Sequence, residues 1–527
     1  MSSVPSASAA FGEKRRLVVN TVLNGSSQFA AMLASLVFMP LLVRAFGINN
    51  FGLFMLASSV TAYAALLDLG VGSALTKMVA ENAATEDRDA MNGAIASSLL
   101  FYCIVGLIVA AAMAIIGWFS GEIFHVTGIQ AELLRYMLWA GAVFQLAYWP
   151  ASTARHALAG LQRYDVLAWT GVVATVLGIG ATLAVLYTGQ GPLLLVILTG
   201  IATTSVAVVN VVVAIRMAQV PLSILTKASS FHIRAIFAFS WAIFVVQVSD
   251  ALFYQQTDRL LLGIFASAAS VGLYEAAAKF NALVSYLSGL TVSAVLPLAS
   301  SMGAAGRHAS LRSLFIRGTK YGAALIAPIA IVLMVFAEPI ILAWLGKGFA
   351  GQGVVAQVLL LPHIVVCLGL MGDAIIISQG KLAKRIPFIF VQAVMNVVIS
   401  ALLIPRVGII GVAIGTAVSH LLDFPIHLRF LLQQTGVKLA DWSREVVLPV
   451  YPLLVLPGVI AWGLSRTALA SSLVGITVAC SIALAVYWAA LFGFALSEAE
   501  KQDVARVVGA VRARFSGGRR DAGGGSA

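Results

Sequence analysis

The strongest constraint on this chain is the way its positive charge alternates along a ladder of apolar segments. Between Leu17 and Leu496 the sequence reads as fourteen long apolar runs. Of its 33 Lys and Arg residues, only Arg44, Arg259, Lys347, Arg406 and Arg466 fall in one set of alternate gaps, and Arg135, Lys279 and Lys320 fall inside runs. All the others occupy the remaining gaps and the two tails. About 20 apolar residues cross the hydrocarbon core of a bilayer, and short loops rich in Lys and Arg stay on the cytoplasmic side. The pattern predicts an all-α integral membrane protein with an even number of spans and both termini in the cytoplasm. The formal net charge of +12 is then a topology signal, and no nucleic-acid partner is expected.

Composition agrees. The chain is 60% hydrophobic and 10% charged, where soluble domains carry about 25% charged residues. The opening MSSVPSASAAFGEKRR is polar and then basic, so no cleaved signal peptide is expected. Cys103, Cys367 and Cys480 sit inside apolar runs without metal-ligand spacing, which argues against disulfides and a zinc site. Phosphate-binding glycine loops, HExxH and nucleophile elbows are not found. The expectation is a transporter rather than an enzyme, without a cofactor, with proton or sodium coupling open.

The expected spans are 17–44, 50–76, 92–118, 131–154, 164–188, 192–216, 234–260, 269–298, 312–336, 353–379, 385–405, 408–431, 447–466 and 470–496. They divide into a cytoplasmic segment 1–16, an N-lobe 17–216, a linker 217–233, a C-lobe 234–431, a final pair 447–496 and a tail 497–527. In the tail, Ser497-Glu-Ala-Glu500 reads as a capping box. Val504, Val507, Val508, Val511 and Phe515 follow at helical spacing among arginines, which suggests a helix on the inner membrane face before a Gly-rich, disordered end. The chain also repeats. Gly52-Leu53-Phe54 opens span two, and Gly272-Leu273-Tyr274 opens span eight, 220 residues later. Six spans separate the copies, so they share orientation, as in transporters built from parallel repeats.

The segment Pro40-Leu-Leu-Val-Arg-Ala-Phe-Gly-Ile-Asn-Asn-Phe-Gly-Leu-Phe54, with Leu67-Asp-Leu-Gly-Val-Gly-Ser-Ala-Leu75, resembles the opening of oligosaccharide flippases of the Wzx and polysaccharide-transport type, in the multidrug/oligosaccharidyl-lipid/polysaccharide (MOP) exporter superfamily. Thr257-Asp-Arg-Leu-Leu-Leu-Gly263 and Val271-Gly-Leu-Tyr274 are similar to the second-half counterpart. In layout the resemblance runs from about residue 15 to 496. It implies two six-helix lobes with two further helices outside, and a central cavity facing each side of a bacterial inner membrane in turn. It also implies a monomer, and as substrate an oligosaccharide on undecaprenyl pyrophosphate. Membrane lipids, a polysaccharide polymerase and export machinery would be its other partners.

Charges within spans point to function, because lipid tolerates them only when they face a cavity or a partner. Lys279 lies about 15 Å into span eight at 1.5 Å per residue, with Glu275 one turn away. The two are either a self-neutralising pair or part of a cationic wall for the pyrophosphate. Arg259, Arg155, Lys320 and Arg44 are further cationic candidates, although a snorkelling, topology-setting role suits Arg155 and Lys320 as well. Gln247, Asp250, Tyr254 and Asp258 form one polar stripe of span seven, and Asn20, Asn24 and Gln28 form one of span one. These stripes are cavity lining or helix–helix glue. Asp250, Asp258, Glu275 and Asp68 are the coupling or gating candidates, with a structural pair to Lys279 or Arg259 the equal alternative for Asp250. Gly70 and Gly72 beside Asp68 suggest close packing or a bend.

A drug or cation antiporter of the same superfamily and a lipid II flippase are the competing transporters. An antiporter for cations needs an acidic cavity, whereas the candidate wall mixes both signs. A membrane polymerase needs a large outward loop, and the longest, near Ser120–Gln130, is short. The topology has a direct check. A reporter active only in the periplasm gives a strong signal when fused after Gly189 and none after Phe515; the opposite pattern overturns the charge reading.

Overall fold

The computed structural model describes residues 7–219, 229, 234, 236, 240, 256–502 and 506, with 7–31, 256, 294, 304, 308 and 382 described by backbone alone. Every regular element among the described residues is helical. Eleven of the segments are long and apolar enough to cross a membrane. The difference from fourteen has local causes. The first two expected spans form one continuous segment, Ala7–Tyr63, broken at Gly47 with φ 74° and ψ 163°, a geometry that glycine adopts without strain. Most of expected span seven lies outside the described residues, as do Gln247 and Asp250 and the side chains of Asn20, Asn24 and Gln28. The Ile129–Gly160 helix is 32 residues long, but Gln145, Tyr148, Trp149 and Pro150 dilute its apolar content.

The chain divides into two compact units. The first comprises Met1–Lys279, Lys347–Val355 and Ala383–Ser419, and the second comprises Phe280–Gly346, Ala356–Leu382 and His420–Ala527. In the first, the Ile129–Gly160 helix packs against both Arg88–Trp118 and Pro192–Ala218. Their facing sides bury Tyr102, Leu134 and Leu138, while Leu107 at 62% and Val143 at 64% exposure point away from the core. Such an apolar exterior suits lipid, not water. Arg135, inside a run in the sequence, stacks 5.5 Å over the Trp118 ring. Trp118 in turn stacks on Trp139 with centroids 6.2 Å apart. Aromatic rings with a cation–π partner at a helix end are an interfacial anchor.

The two repeated glycines meet. A Cβ on Gly52 would lie 1.8 Å from the Ala268 carbonyl oxygen and 3.1 Å from the Gly272 nitrogen, and a Cβ on Gly272 would lie 2.6 Å from the Ile48 carbonyl oxygen. The motif therefore recurs because two helix starts cross backbone to backbone, an approach that any side chain would block.

In the second unit, the His308–Leu345 helix packs on Val455–Ser465 and Leu473–Ala490. Val332, Phe336, Ala461, Ile476, Ala479 and Ala483 form that core. Beyond it the capping box is formed as read: the Ser497 N–H donates to Glu500 Oε2 at 2.8 Å, and the Glu500 N–H donates to Ser497 Oγ at 3.4 Å. Glu500 also receives Lys320 Nζ at 2.9 Å, and that ammonium donates to the Ala495 carbonyl at 3.0 Å as well. Lys320 was expected as a cavity cation. It is instead 7% exposed and held by the tail, since a buried ammonium needs a carboxylate. Burial opposes charge on Glu500, but hydrogen bonds from Lys320 and Ser497 outweigh it and hold the carboxyl below its usual range. The expected amphipathic helix after residue 502 lies outside the described residues, apart from Arg506.

Two stability predictions follow from these contacts. Gly52→Ala forces its helix off Ala268, costing about 1–3 kcal/mol by overpacking, whereas Gly289→Ala enters open space and leaves the unfolding temperature of the purified protein unchanged. Equal midpoints for the two variants would remove the backbone crossing. Glu500→Gln lowers stability by about 1–3 kcal/mol. A carboxyl whose folded pKa is depressed contributes stability above its unfolded pKa of about 4.3 and loses it as pH falls through the folded value. The gap between parent and Glu500→Gln is therefore full at pH 7 and closes in acid.

Candidate functional site

Two cavities lie side by side in the first unit. One of 350 Å³ is lined mainly by Phe38, Leu42, Phe51, Phe54, Ile179 and Leu195, with Ser35 and Lys279 as its polar end. The other, of 630 Å³, is lined by Ser58, Thr61, Asp68, Gln145, Trp149, Ser152, Arg155 and His156 among others. Both include Phe54 and Thr199. Lining residues run from Phe51 to Asp68 along a single chain segment, about 25 Å at helical rise. That nearly equals the roughly 30 Å of a bilayer core.

Lys279 was open between a salt bridge and a cavity wall. Glu275, fully buried, is held by Arg259, which donates to it through Nε and, at 3.1 Å, through Nη2. Such a two-pronged guanidinium–carboxylate bond is the stronger pairing. Lys279 Nζ is 3.9 Å from Glu275 Oε2, donates to Ser35 Oγ at 2.8 Å and keeps 22% of its side chain exposed. Glu275 is thus held most closely by Arg259, and the Lys279 ammonium, at the edge of ion-pair distance from it, lines the cavity. Arg259 itself lines neither cavity, and its side chain is 13% exposed. Arg44 is exposed and lines neither.

Asp258 is 7% exposed and accepts hydrogen bonds from the Tyr274 and Thr416 hydroxyls. Asn396 Nδ2 donates to the same Thr416 at 2.9 Å. This carboxylate is a hub joining three helices, outside both cavities. Asp68 does line the larger one. It ends a 3₁₀ turn, Ala64–Asp68, after which Leu69 and Gly70 adopt φ 49° and 78° before the Val71–Ala84 helix starts. The span is discontinuous there, as the glycines suggested. The Tyr102 hydroxyl donates to Asp68. His156 stacks on Tyr102 with centroids 6.2 Å apart and packs so tightly on Gly72 that a Cβ there would lie 2.2 Å from its ring. Arg155 is exposed to the cavity and reaches no carboxylate within ion-pair distance among the described residues.

Sequence reasoning missed the rest of this wall. Gln145, Tyr148, Trp149, Ser152, Arg155 and His156 recur at spacings of three and four on one face of the Ile129–Gly160 helix, and all line the 630 Å³ cavity. The signal was present as polar and aromatic residues in an otherwise apolar run. Only Arg155 stood out, because charge is easier to see than an aromatic–amide stripe.

Comparison with known proteins agrees with this architecture. The family model "Polysaccharide biosynthesis protein" matches residues 17–303. Among characterised sequences, the chain is 27% identical over 218 residues to a probable low-salt glycan biosynthesis flippase, Agl15, of Haloferax volcanii, covering 41% of this chain and 45% of that protein. It thus spans about half the length of that relative. To the probable flippase AglR of the same organism it is 24% identical over 401 residues, covering 74% and 78%. Among solved structures, the lipid II flippase MurJ in an inward closed conformation superposes with TM-score 0.67 at 12% identity, covering 90% of this chain and 99% of that one. An inward-facing multidrug resistance MATE family transporter of the MOP superfamily gives 0.65 at 15% identity, covering 76% and 94%. At such identity the likeness establishes the fold. The chain has the fold of MOP-superfamily transporters and belongs to the polysaccharide biosynthesis protein family.

Proposed function

We propose that this protein is a flippase that carries an oligosaccharide linked to undecaprenyl pyrophosphate across the bacterial inner membrane, from the cytoplasmic to the outer leaflet, by alternating access. The observation that carries the reading is Lys279: an ammonium in a cavity whose neighbouring carboxylate is already matched by Arg259. A cation lining a low-dielectric site attracts a diphosphate, whose transfer through lipid unpaired would be prohibitive. Arg155, at the far end of the adjoining cavity, provides a second cation on the same path. The path's length supports passage between leaflets, with the isoprenoid remaining in lipid. The charges along it favour an anionic head group over the cations that a drug antiporter accepts, because among the described lining residues Asp68 alone opposes Lys279 and Arg155. The relatives' descriptions as flippases point the same way.

Energy input falls to a carboxylate that changes its protonation between the two states of access. Asp250, placed by the sequence within expected span seven, is the candidate for that role, and proton or sodium flow would drive the cycle. The six-helix lobes, with spans thirteen and fourteen outside them, belong to the same proposal.

Lys279→Ala abolishes polysaccharide export while the protein's level in the membrane stays normal, and Lys279→Arg retains partial export, because a diffuse anion needs charge more than shape. Export is measured as surface polysaccharide in a strain deleted for the native gene. Full export by Lys279→Ala would return Lys279 to a structural role.

A further inference from the structure

Away from Arg155 at its end, the 630 Å³ cavity is built differently from a phosphate site. Its Ser and Thr hydroxyls have already spent their protons: Ser58 Oγ donates to the Phe54 carbonyl at 2.8 Å, Thr61 Oγ1 to the Ala57 carbonyl at 3.0 Å, and Ser152 Oγ to the Trp149 carbonyl at 2.6 Å. Each oxygen is left as an acceptor. A wall of acceptor lone pairs repels phosphate oxygens and suits a ligand rich in O–H donors.

Two polar atoms on the same wall have no hydrogen-bond partner among the described residues. Gln145 is 9% exposed and Trp149 is 4% exposed. Gln145 Oε1 and Trp149 Nε1 are both buried without a hydrogen bond. Buried amide and indole groups are normally satisfied, because an orphaned one costs about 1–3 kcal/mol. Here one is an acceptor and the other a donor, one helical turn apart on the same face. A hydroxyl needs both kinds of partner. Tyr148, 40% exposed, stands edge-on to Trp149 with ring centroids 6.3 Å apart at 82°. Its open ring presents the flat apolar surface on which the C–H face of a pyranose packs.

We infer that the Gln145–Trp149 face of the Ile129–Gly160 helix is a saccharide subsite, which takes a neutral hexose of the lipid-linked head group while the cations hold its phosphates. This rests on the flippase reading and deepens it: Gln145 and Trp149 engage ring hydroxyls, Tyr148 the pyranose face, and Ser58, Thr61 and Ser152 accept from the remaining hydroxyls. In that arrangement sugar and phosphate are recognised by separate residues, so substitutions separate the two affinities.

The test is equilibrium binding to the purified full-length protein in nanodiscs, with two probes: farnesyl pyrophosphate, and farnesyl pyrophosphate carrying one hexose on its terminal phosphate, glucose and galactose in turn. The parent binds one of the hexosyl probes about tenfold more tightly than the bare one, the worth of one or two hydrogen bonds. Gln145→Leu and Trp149→Phe erase that preference and leave farnesyl pyrophosphate affinity unchanged, which also verifies that the variants are folded. Lys279→Ala weakens both probes alike. A parent with no preference between the probes, or variants that keep the parent's preference, overturns the saccharide subsite and leaves the flippase reading standing. A parent that binds neither probe overturns the flippase reading, and the subsite with it.

Discussion

A carboxylate with no exposure inside a helix bundle must have a cation within bonding distance, and Glu275 sets that condition for the first unit. Arg259 meets it with a forked bond. The consequence reaches beyond the pair. Once the carboxylate is satisfied, Lys279, one turn along the same helix, is not needed for neutrality and can stay partly exposed at the cavity, steadied by Ser35. Glu275 and Lys279 at helical spacing, with Arg259 from the preceding helix, thus leave an ammonium facing a mainly apolar chamber. Asp258, next to Arg259, is held by hydrogen bonds from Tyr274 and Thr416.

Backbone geometry gives the cavity its length. Gly47 turns the chain between the first two spans, and the Gly52–Gly272 crossing fixes the Lys279 helix against the second of them. From Phe51 onward that segment lines one cavity and then the next, until it breaks at Leu69 and Gly70 beside Asp68. The chamber walls change character on the way, from Phe, Leu and Met around Lys279 to hydroxyls, an amide and aromatic rings beside Arg155. Back-bonding of Ser and Thr to helix carbonyls is an ordinary way to bury hydroxyls in lipid. Here it also fixes the polarity that an occupant meets.

How much of this the residues announced varies from one to the next. The capping box Ser497–Glu500 was legible because its spacing is a local rule, and it forms as read. The paired Gly-Leu-aromatic motifs were legible as a repeat, but their mutual contact was not, since 220 residues separate them. Lys320 and Lys279 look alike in sequence, each a lysine inside an apolar run. Only the return of the tail, bringing Glu500 onto one of them, distinguishes the buried ion pair from the cavity cation. The Gln145–Trp149 stripe had a periodic signal, yet no charge to mark it.

By itself the sequence determined the helical class, the membrane as solvent, the alternation of loop charge and the local caps and breaks. Each of these depends on residues within a turn or a span of one another. Tertiary structure decided which charges cancel and which remain exposed, because pairing depends on distances between residues far apart in the chain. It also decided where space is left. A cavity is the volume that several packed helices fail to fill, and no single helix encodes it.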